Sequence, residues 1–386
     1  MSFREHQHRT IQVRDRRIGA SEKIFLTAEI GAAHNGSLEN AKIMIEAAAR
    51  SGCDGVDIFM AEPEEFYYTG KCLPGRDFFA EWRKLHFNLD QWRELFDFAR
   101  RQGIILYPTP LDTTSIELCR RLPVEMLNIN SDDANNVFLL KAAASLGVPV
   151  TVHDINISLT EIALAVRTLQ DAGCRDIILL HSTQENGDEA TLYESANLEV
   201  INTYKQVFGG SGVLAGCVEH TTSDFLIYGV AALCPVLISK HIQLRPADNP
   251  GDCHISVDTA NLAAMVRKVR YIEQALGGGS NQFVLGSNGS ASEWTLSRRK
   301  VLVSARNIPA GKTIEEADLT AKRPGNLGGI SPMQYIHLIG ATAKCEIKAN
   351  TPLEFEQFSD IQSAPYKYPP LDEYQTNADL NSIRGA

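Results

Sequence analysis

The feature that most constrains this chain is an alternation. From Ile24 onward, short apolar runs rich in β-branched residues trade places with longer amphipathic stretches. The strand candidates are Ile24–Ile30, Gly55–Met60, Ile104–Pro108, Met126–Ile129, Pro149–His153, Asp176–His181, Val213–Cys217 and Val236–Ile242. Most are nearly continuous apolar runs, as expected of parallel strands covered on both faces. Between them, Leu38–Arg50, Leu89–Arg101 and Leu159–Ala172 carry helical periodicity, and Ser37 and Ser158 stand where N-caps belong. An open doubly wound sheet shares this pattern in part. Eight strand–helix alternations predict a closed α/β structure, the (β/α)8 TIM barrel.

The chain has 386 residues, and such a barrel takes about 250. The expected divisions are a barrel over 1–276, a linker over 277–297 opening on Gly277-Gly278-Gly279-Ser280, a small domain over 298–360 and a polar tail over 361–386. The small domain has short strands and turns, such as Asn307-Ile308-Pro309-Ala310-Gly311. A net charge of -10 argues against nucleic acid or an anionic membrane as a partner. No apolar run approaches the roughly 18 residues of a membrane span. Met1–Arg17 is polar and lacks a signal peptide's apolar centre. The eight cysteines form no C-x-x-C pair, which fits reduced thiols and a cytoplasmic location.

Barrel enzymes carry their chemistry at the C-terminal strand ends. That rule selects Glu29 on the first strand, Asp57 on the second, His153-Asp154 on the fifth, His181 on the sixth, Glu219-His220-Thr221 on the seventh and Lys240-His241 on the eighth. His220 and His241, on neighbouring strands, could share a divalent metal through their imidazoles, although a strand-end histidine is often only a hydrogen-bonded structural residue. Glu29 could serve as acid or base, or sit in a buried salt bridge. His153 and Asp154 could orient a substrate hydroxyl or join the metal. Asp252 lies on a turn after Asn249-Pro250-Gly251, where Asp is common in any case.

The segments Ala28-Glu29-Ile30-Gly31, His34-Asn35-Gly36-Ser37, Glu219-His220-Thr221, Lys240-His241 and Pro250-Gly251-Asp252 resemble the signature of the sialic acid synthase family. Arg306–Phe358, with Lys322-Arg323-Pro324-Gly325-Asn326, resembles that family's C-terminal antifreeze-like domain, a β-clip fold. The resemblance runs colinearly from about Ile24 to Phe358. It implies condensation of phosphoenolpyruvate with an N-acylated amino sugar in a homodimer whose antifreeze-like domains are swapped. It further implies His220 and His241 as ligands of manganese or magnesium, Glu29 as a proton-transfer group and Asp252 beside the metal and the aldehyde. Thr109 and Ser131 would lie near the donor, Asp133 would contact the sugar, and Arg323 would reach the N-acyl group across the dimer.

The departures fall on the donor side. The family's Lys-x-Gln after the second strand is Asp57 and Phe59 here, its fourth-strand lysine is Asn128, its fifth-strand serine is His153, and a serine on the seventh strand is Val218. A trianionic donor needs cations or many hydrogen-bond donors, whereas Asp57, His153 and Asp154 suit a neutral or cationic group. The leading expectation is therefore aldol-type carbon–carbon bond formation or cleavage on a carbohydrate-like carbonyl, with a donor other than phosphoenolpyruvate. An ordinary phosphoenolpyruvate-dependent nonulosonic acid synthase and a non-catalytic sugar-binding paralogue are the other two readings.

Overall fold

The computed structural model describes residues 9–66, 78–183, 189–221, 225–245, 252–276, 300–323 and 329–361. The expected linker over 277–297, nearly all of the expected tail, Pro250-Gly251 and Pro324-Gly325-Asn326 lie outside the described residues. The chain divides into two compact units, Met1–Asn281 and Gln282–Ala386.

The first unit opens with a hairpin, β1 (Thr10–Val13) and β2 (Arg16–Gly19), paired antiparallel. Eight strands then run in parallel: β3 (Phe25–Gly31), β4 (Gly55–Met60), β5 (Ile105–Pro110), β6 (Leu127–Ile129), β7 (Val150–His153), β8 (Ile177–Ser182), β9 (Leu214–Glu219) and β10 (Leu237–Gln243). Each is followed by a helix: α1 (Leu38–Ser51), α2 (Leu89–Arg101), α3 (Thr113–Cys119), α4 (Val137–Ala144), α5 (Leu159–Asp171), α6 (Val200–Phe208), α7 (Phe225–Ala232) and α8 (Thr259–Ala275). A short β11 (Val257–Asp258) extends β10. The hydrogen-bonded order is β5-β4-β3-β10-β9-β8-β7-β6. β5 and β6 meet side by side without a ladder, and the ring is closed there by side chains. The eightfold alternation has become a TIM barrel.

Local chemistry starts the helices where it should. The Ser37 hydroxyl accepts from the Asn40 amide ahead of α1, and Ser158 forms a capping box with Glu161 ahead of α5. Between β3 and α1, Asn35 and Gly36 adopt positive φ values of 49° and 74°. A Cβ on Gly36 would lie 1.9 Å from the Lys84 carbonyl oxygen, so only glycine fits that turn. The His34-Asn35-Gly36-Ser37 motif thus makes the turn and the cap.

Side chains alternate across each strand. Outward residues such as Leu26, Val56, Val152 and Ile238 join the helices in one large core. Inward residues near the strand starts, among them Phe25, Ile105, Ile178, Leu214 and Leu237, form a second core with Ile11, Val13 and Ile18 of the hairpin. The polar stretch Met1–Arg17 therefore supplies part of a plug. Its signal is the alternation in Thr10-Ile11-Gln12-Val13 around the turn at Arg14, where φ is 51°.

The second unit is built from two small antiparallel pairs, β12 (Val301–Ser304) with β13 (Leu319–Lys322) and β14 (Thr342–Ala343) with β15 (Phe358–Ser359). Its core includes Leu302, Ile308, Ile314, Leu338, Ile347 and Leu353. The two halves repeat one design. Ile308 bridges Ile347, and Gly311 and Asn350 both take positive φ. Capping boxes at Glu315–Asp318 and Glu354–Gln357 precede β13 and β15.

Candidate active site

The inward parity that builds the apolar floor delivers polar groups at the other strand ends. Glu29, Asp57, Thr109, Asn128, His153 and His241 all lie on inward positions, and all are buried. Register places Glu29 beside both Asp57 and His241. The Ser239 hydroxyl donates to Glu29 Oε2 at 2.9 Å, and His241 Nε2 lies 3.3 Å from Glu29 Oε1. The Thr109 hydroxyl donates to Asp57 Oδ1, and Asn128 Nδ2 donates at 2.9 Å to Asp57 Oδ2 and at 2.9 Å to Thr109 Oγ1. Thr151 donates to Asn128 Oδ1 at 2.6 Å. This chain of bonds crosses the β5–β6 seam that the backbone leaves unlaced.

Burial and like charge set the protonation of the site. Burial pushes the Glu29 carboxyl above its ordinary range, against the pull of His153, Ser239 and Lys240. Asp57 is pushed well above its range by burial and then by Glu29. The paired carboxyls are thus suited to retain a proton. Burial lowers His153 and, more strongly, His220, where His241 adds to the effect. His241 falls to about 4, mainly by burial, with Asp252 opposing. All three imidazoles are neutral near pH 7.

His220 and His241 lie with ring centroids 5.2 Å apart. His220 is held twice by Thr183, whose hydroxyl accepts from the His220 backbone amide at 2.7 Å and whose carbonyl accepts from Nδ1 at 2.7 Å. That contact puts the ring's lone pair on Nε2, the form a divalent cation needs. Among the described residues, no three His, Cys, Asp or Glu side chains converge into a ligand group. The donor set therefore fits a cation held by two imidazoles that takes its remaining ligands from solvent or substrate.

The other candidates are not gathered at this mouth. His181 is on an outward position of β8, and its Nδ1 donates at 2.9 Å to Asp154 while Nε2 donates at 2.8 Å to the Ala196 carbonyl. Asp154 also accepts from the Tyr204 hydroxyl at 2.6 Å and the Ser182 amide at 2.6 Å. Burial lowers the His181 pKa, but the Asp154 contacts outweigh it and the net shift is upward. This trio lines a separate cleft of about 360 Å³ with Asn156, Asn197 and Thr203. Asp154, one residue past the end of β7, commits its hydrogen bonds to His181, Ser182 and Tyr204 and reaches His153 only through its charge. Lys240, like His181, faces outward.

Ser131 and Asp133 lie on a 3-10 turn after β6. Burial, with Asp132 and Asp112 adding to it, raises Asp133 to about 6 against an Asn136 hydrogen bond. Asp252, half-buried, lies after β10 close enough to act on His241 electrostatically. Arg323 is exposed just past β13 in the second unit.

Thr183, Ser239 and Thr151 were missed by sequence reasoning. They are ordinary hydroxyl residues, and only register reveals what they hold. At Phe59, where the resembling family has glutamine, the ring lies 6.0 Å from Trp82, and a Cβ on Gly31 would come within 3.3 Å of it.

Comparison with known proteins gives two matches along the chain, to the NeuB family over residues 44–281 and to the SAF domain over residues 299–359. An uncharacterised protein of Methanocaldococcus jannaschii is 29% identical, covering 82% of this chain and 89% of its own. The N,N'-diacetyllegionaminic acid synthase of Campylobacter jejuni is 28% identical, covering 83% of this chain and 96% of its own. The crystal structure of a sialic acid synthetase from Leptospira borgpetersenii in complex with citrate is 25% identical with a TM-score of 0.64, over 73% of this chain and 93% of that one.

Proposed function

Because the chain belongs to the NeuB family, we propose that it catalyses aldol-type carbon–carbon bond chemistry on a sugar-like carbonyl, with a donor other than phosphoenolpyruvate. The observation that carries the donor assignment is the environment of Asp57. A carboxyl lies where the resembling family has a cation, its hydrogen-bond partners Thr109 and Asn128 are neutral, and the neighbouring strand adds Glu29. A phosphate there would meet a carboxyl pair and neutral partners in place of a cation. A small carbonyl compound that can lose a proton meets instead a carboxyl pair able to take one up and neutral amide and hydroxyl groups able to orient it.

His220 and His241 would hold a divalent cation, manganese or magnesium, which when bound would polarise the acceptor carbonyl. Glu29, between Ser239 and His241, is placed to move the proton to or from the donor carbon. His153, neutral and buried, would orient the acceptor oxygen. Ser131 and Asp133 would contact the sugar from the loop after β6, and Asp252, whose charge acts on His241, would lie beside the cation and the aldehyde. We include in the proposal a homodimer in which Arg323 reaches the partner's site. Mixed dimers of Arg323→Ala and Glu29→Gln subunits should then recover activity, and no recovery despite subunit exchange would count against it.

Membership of the family itself favours a second reading, the phosphoenolpyruvate-dependent synthase. Calorimetric titration of phosphoenolpyruvate in manganese separates the two. Each missing charge-assisted hydrogen bond is worth about 1.5–3 kcal/mol, so losing two weakens binding by about two orders of magnitude or more. Negligible heat is the expected result. Micromolar affinity, or release of inorganic phosphate when an N-acetyl amino sugar is added, would restore the ordinary synthase.

A further inference from the structure

Directly behind the two histidines lies an ion pair with no role in the chemistry described so far. Glu219 and Lys240 are register partners on β9 and β10, each one residue before a histidine. Their side chains point outward, on the face that carries Cys217, Ile238 and Ile242 into the apolar core under the helices. Lys240 Nζ lies 2.7 Å from Glu219 Oε2, with side-chain exposures of 1% and 0%. Nζ also donates to the backbone carbonyl of Glu219 at 3.3 Å and to that of Thr221. These carbonyls bracket His220.

Such a pair is a poor way to stabilise a core. Desolvating two charges offsets most of their attraction, and apolar residues of similar volume usually do as well. Glu219 Oε1 is moreover buried with no hydrogen-bond partner, a cost that native structures seldom accept without a reason. The reason is visible in what Nζ touches. His220 lies beyond the last residue of β9, where no ladder holds the backbone, while His241 lies inside β10. Lys240, attached next to His241, grips the chain on both sides of His220. Glu219 fixes the ammonium group in that grip.

We infer that the Glu219–Lys240 pair is a positioning device that sets the separation and ring orientation of His220 and His241 from the outer face of the barrel. Thr183 holds His220 from the β8 side, and Lys240 holds it from the β10 side. Lys240 is therefore committed to the backbone and is not turned towards a bound anion. The inference rests on the two-histidine cation site proposed above, so its test needs a reading that does not depend on metal.

The informative variant is Lys240→Met/Glu219→Leu, which removes both charges together and keeps the volume, so that no lone charge is left buried. Nitrogen-15 labelling of the histidines reports the His220 tautomer directly, and the line width of free manganese reports the dissociation constant. In the unaltered protein, His220 should show a fixed Nδ1–H. The double variant should melt as a folded protein, show an averaged His220 tautomer, and bind manganese about 10–100-fold more weakly, the usual effect of removing support behind a ligand. Glu219→Gln retains an oxygen acceptor for Nζ and should keep the His220 tautomer. If the double variant fails to fold, Glu219→Gln together with Lys240→Gln decides, since Lys240→Gln alone should release the tautomer. An unaltered protein that binds no manganese, with a tautomer still released by loss of Lys240, would sink the cation site and leave the positioning role standing. Unchanged His220 resonances in every folded variant lacking Lys240 would overturn the inference.

Discussion

The interior of the barrel has two ends made by the same strands, and they follow opposite rules. At the floor, Phe25, Ile105, Ile178, Leu214 and Leu237 interlock with the hairpin plug, and Gly216 admits the tight approach because a Cβ there would lie 2.4 Å from Leu180. At the mouth, inward positions further along the strands carry Glu29, Asp57, Asn128, His153 and His241. The floor gains from burial itself. The mouth bears the cost of burying carboxyls and imidazoles, which it offsets with hydrogen bonds and shifted protonation. One end supplies the stability that the other consumes, and the difference separates structural residues from chemical ones.

Breaking the floor should cost most. Phe25→Ala removes a buried ring from the plug layer, and its cost should be about 3–5 kcal/mol. Urea unfolding measures it, while manganese binding by the folded fraction should not change. A loss of manganese binding in folded Phe25→Ala protein would mean that the two ends are not separable.

A carboxyl on the turn after β6 should show a pH-dependent cost that the floor does not. Burial pushes the Asp133 carboxyl up to about 6 in the folded chain, from an ordinary 3.8. The folded state therefore binds the extra proton between these values, so the contribution is fully present below pH 3.8 and is lost as pH rises through about 6. Asp133→Asn should remove a decline of up to about 3 kcal/mol across that window. Unfolding at pH 4, 5, 6 and 7 tests this, and parallel curves for the two proteins would refute it.

The border between the two ends should respond least. The Thr27 and Tyr107 hydroxyls lie 2.7 Å apart inside the barrel, with Thr27 between Phe25 and Glu29 on β3 and Tyr107 in register with Asp57. Tyr107→Phe leaves the Thr27 hydroxyl without that partner and should cost about 1–3 kcal/mol, with no added pH dependence. A pH-dependent cost would place Tyr107 in the mouth's proton network and not at its edge.

The barrel was legible because its signals are local. Apolar runs mark strands, the 3.6-residue spacing marks helices, and Ser37 and Ser158 mark their starts. The hairpin was harder to read, since Ile11, Val13 and Ile18 stand among charged neighbours and read as a polar stretch until the floor needs filling. Strand ends fell one or two residues late, as at Glu219 and Gln243, because polar residues continue a strand when a partner awaits them.

The site divides along the same line. The amino-acid order determined which residues reach the strand ends: Glu29, Asp57, His153, Asp154, His181, His220 and His241 are all there. Only the tertiary structure decided which face each one takes and what lies beside it. A shift of one residue along a strand turns a side chain from the mouth to the outer wall. His153 enters the acid–imidazole cluster, while Asp154, one residue past the end of β7, joins His181 and Tyr204 elsewhere. The bonds that define the mouth join residues distant in sequence: Ser239 to Glu29, Asn128 to Asp57, Thr183 to His220. Hydrogen bonds depend on distance in space, and that distance exists only once the ring of strands has formed.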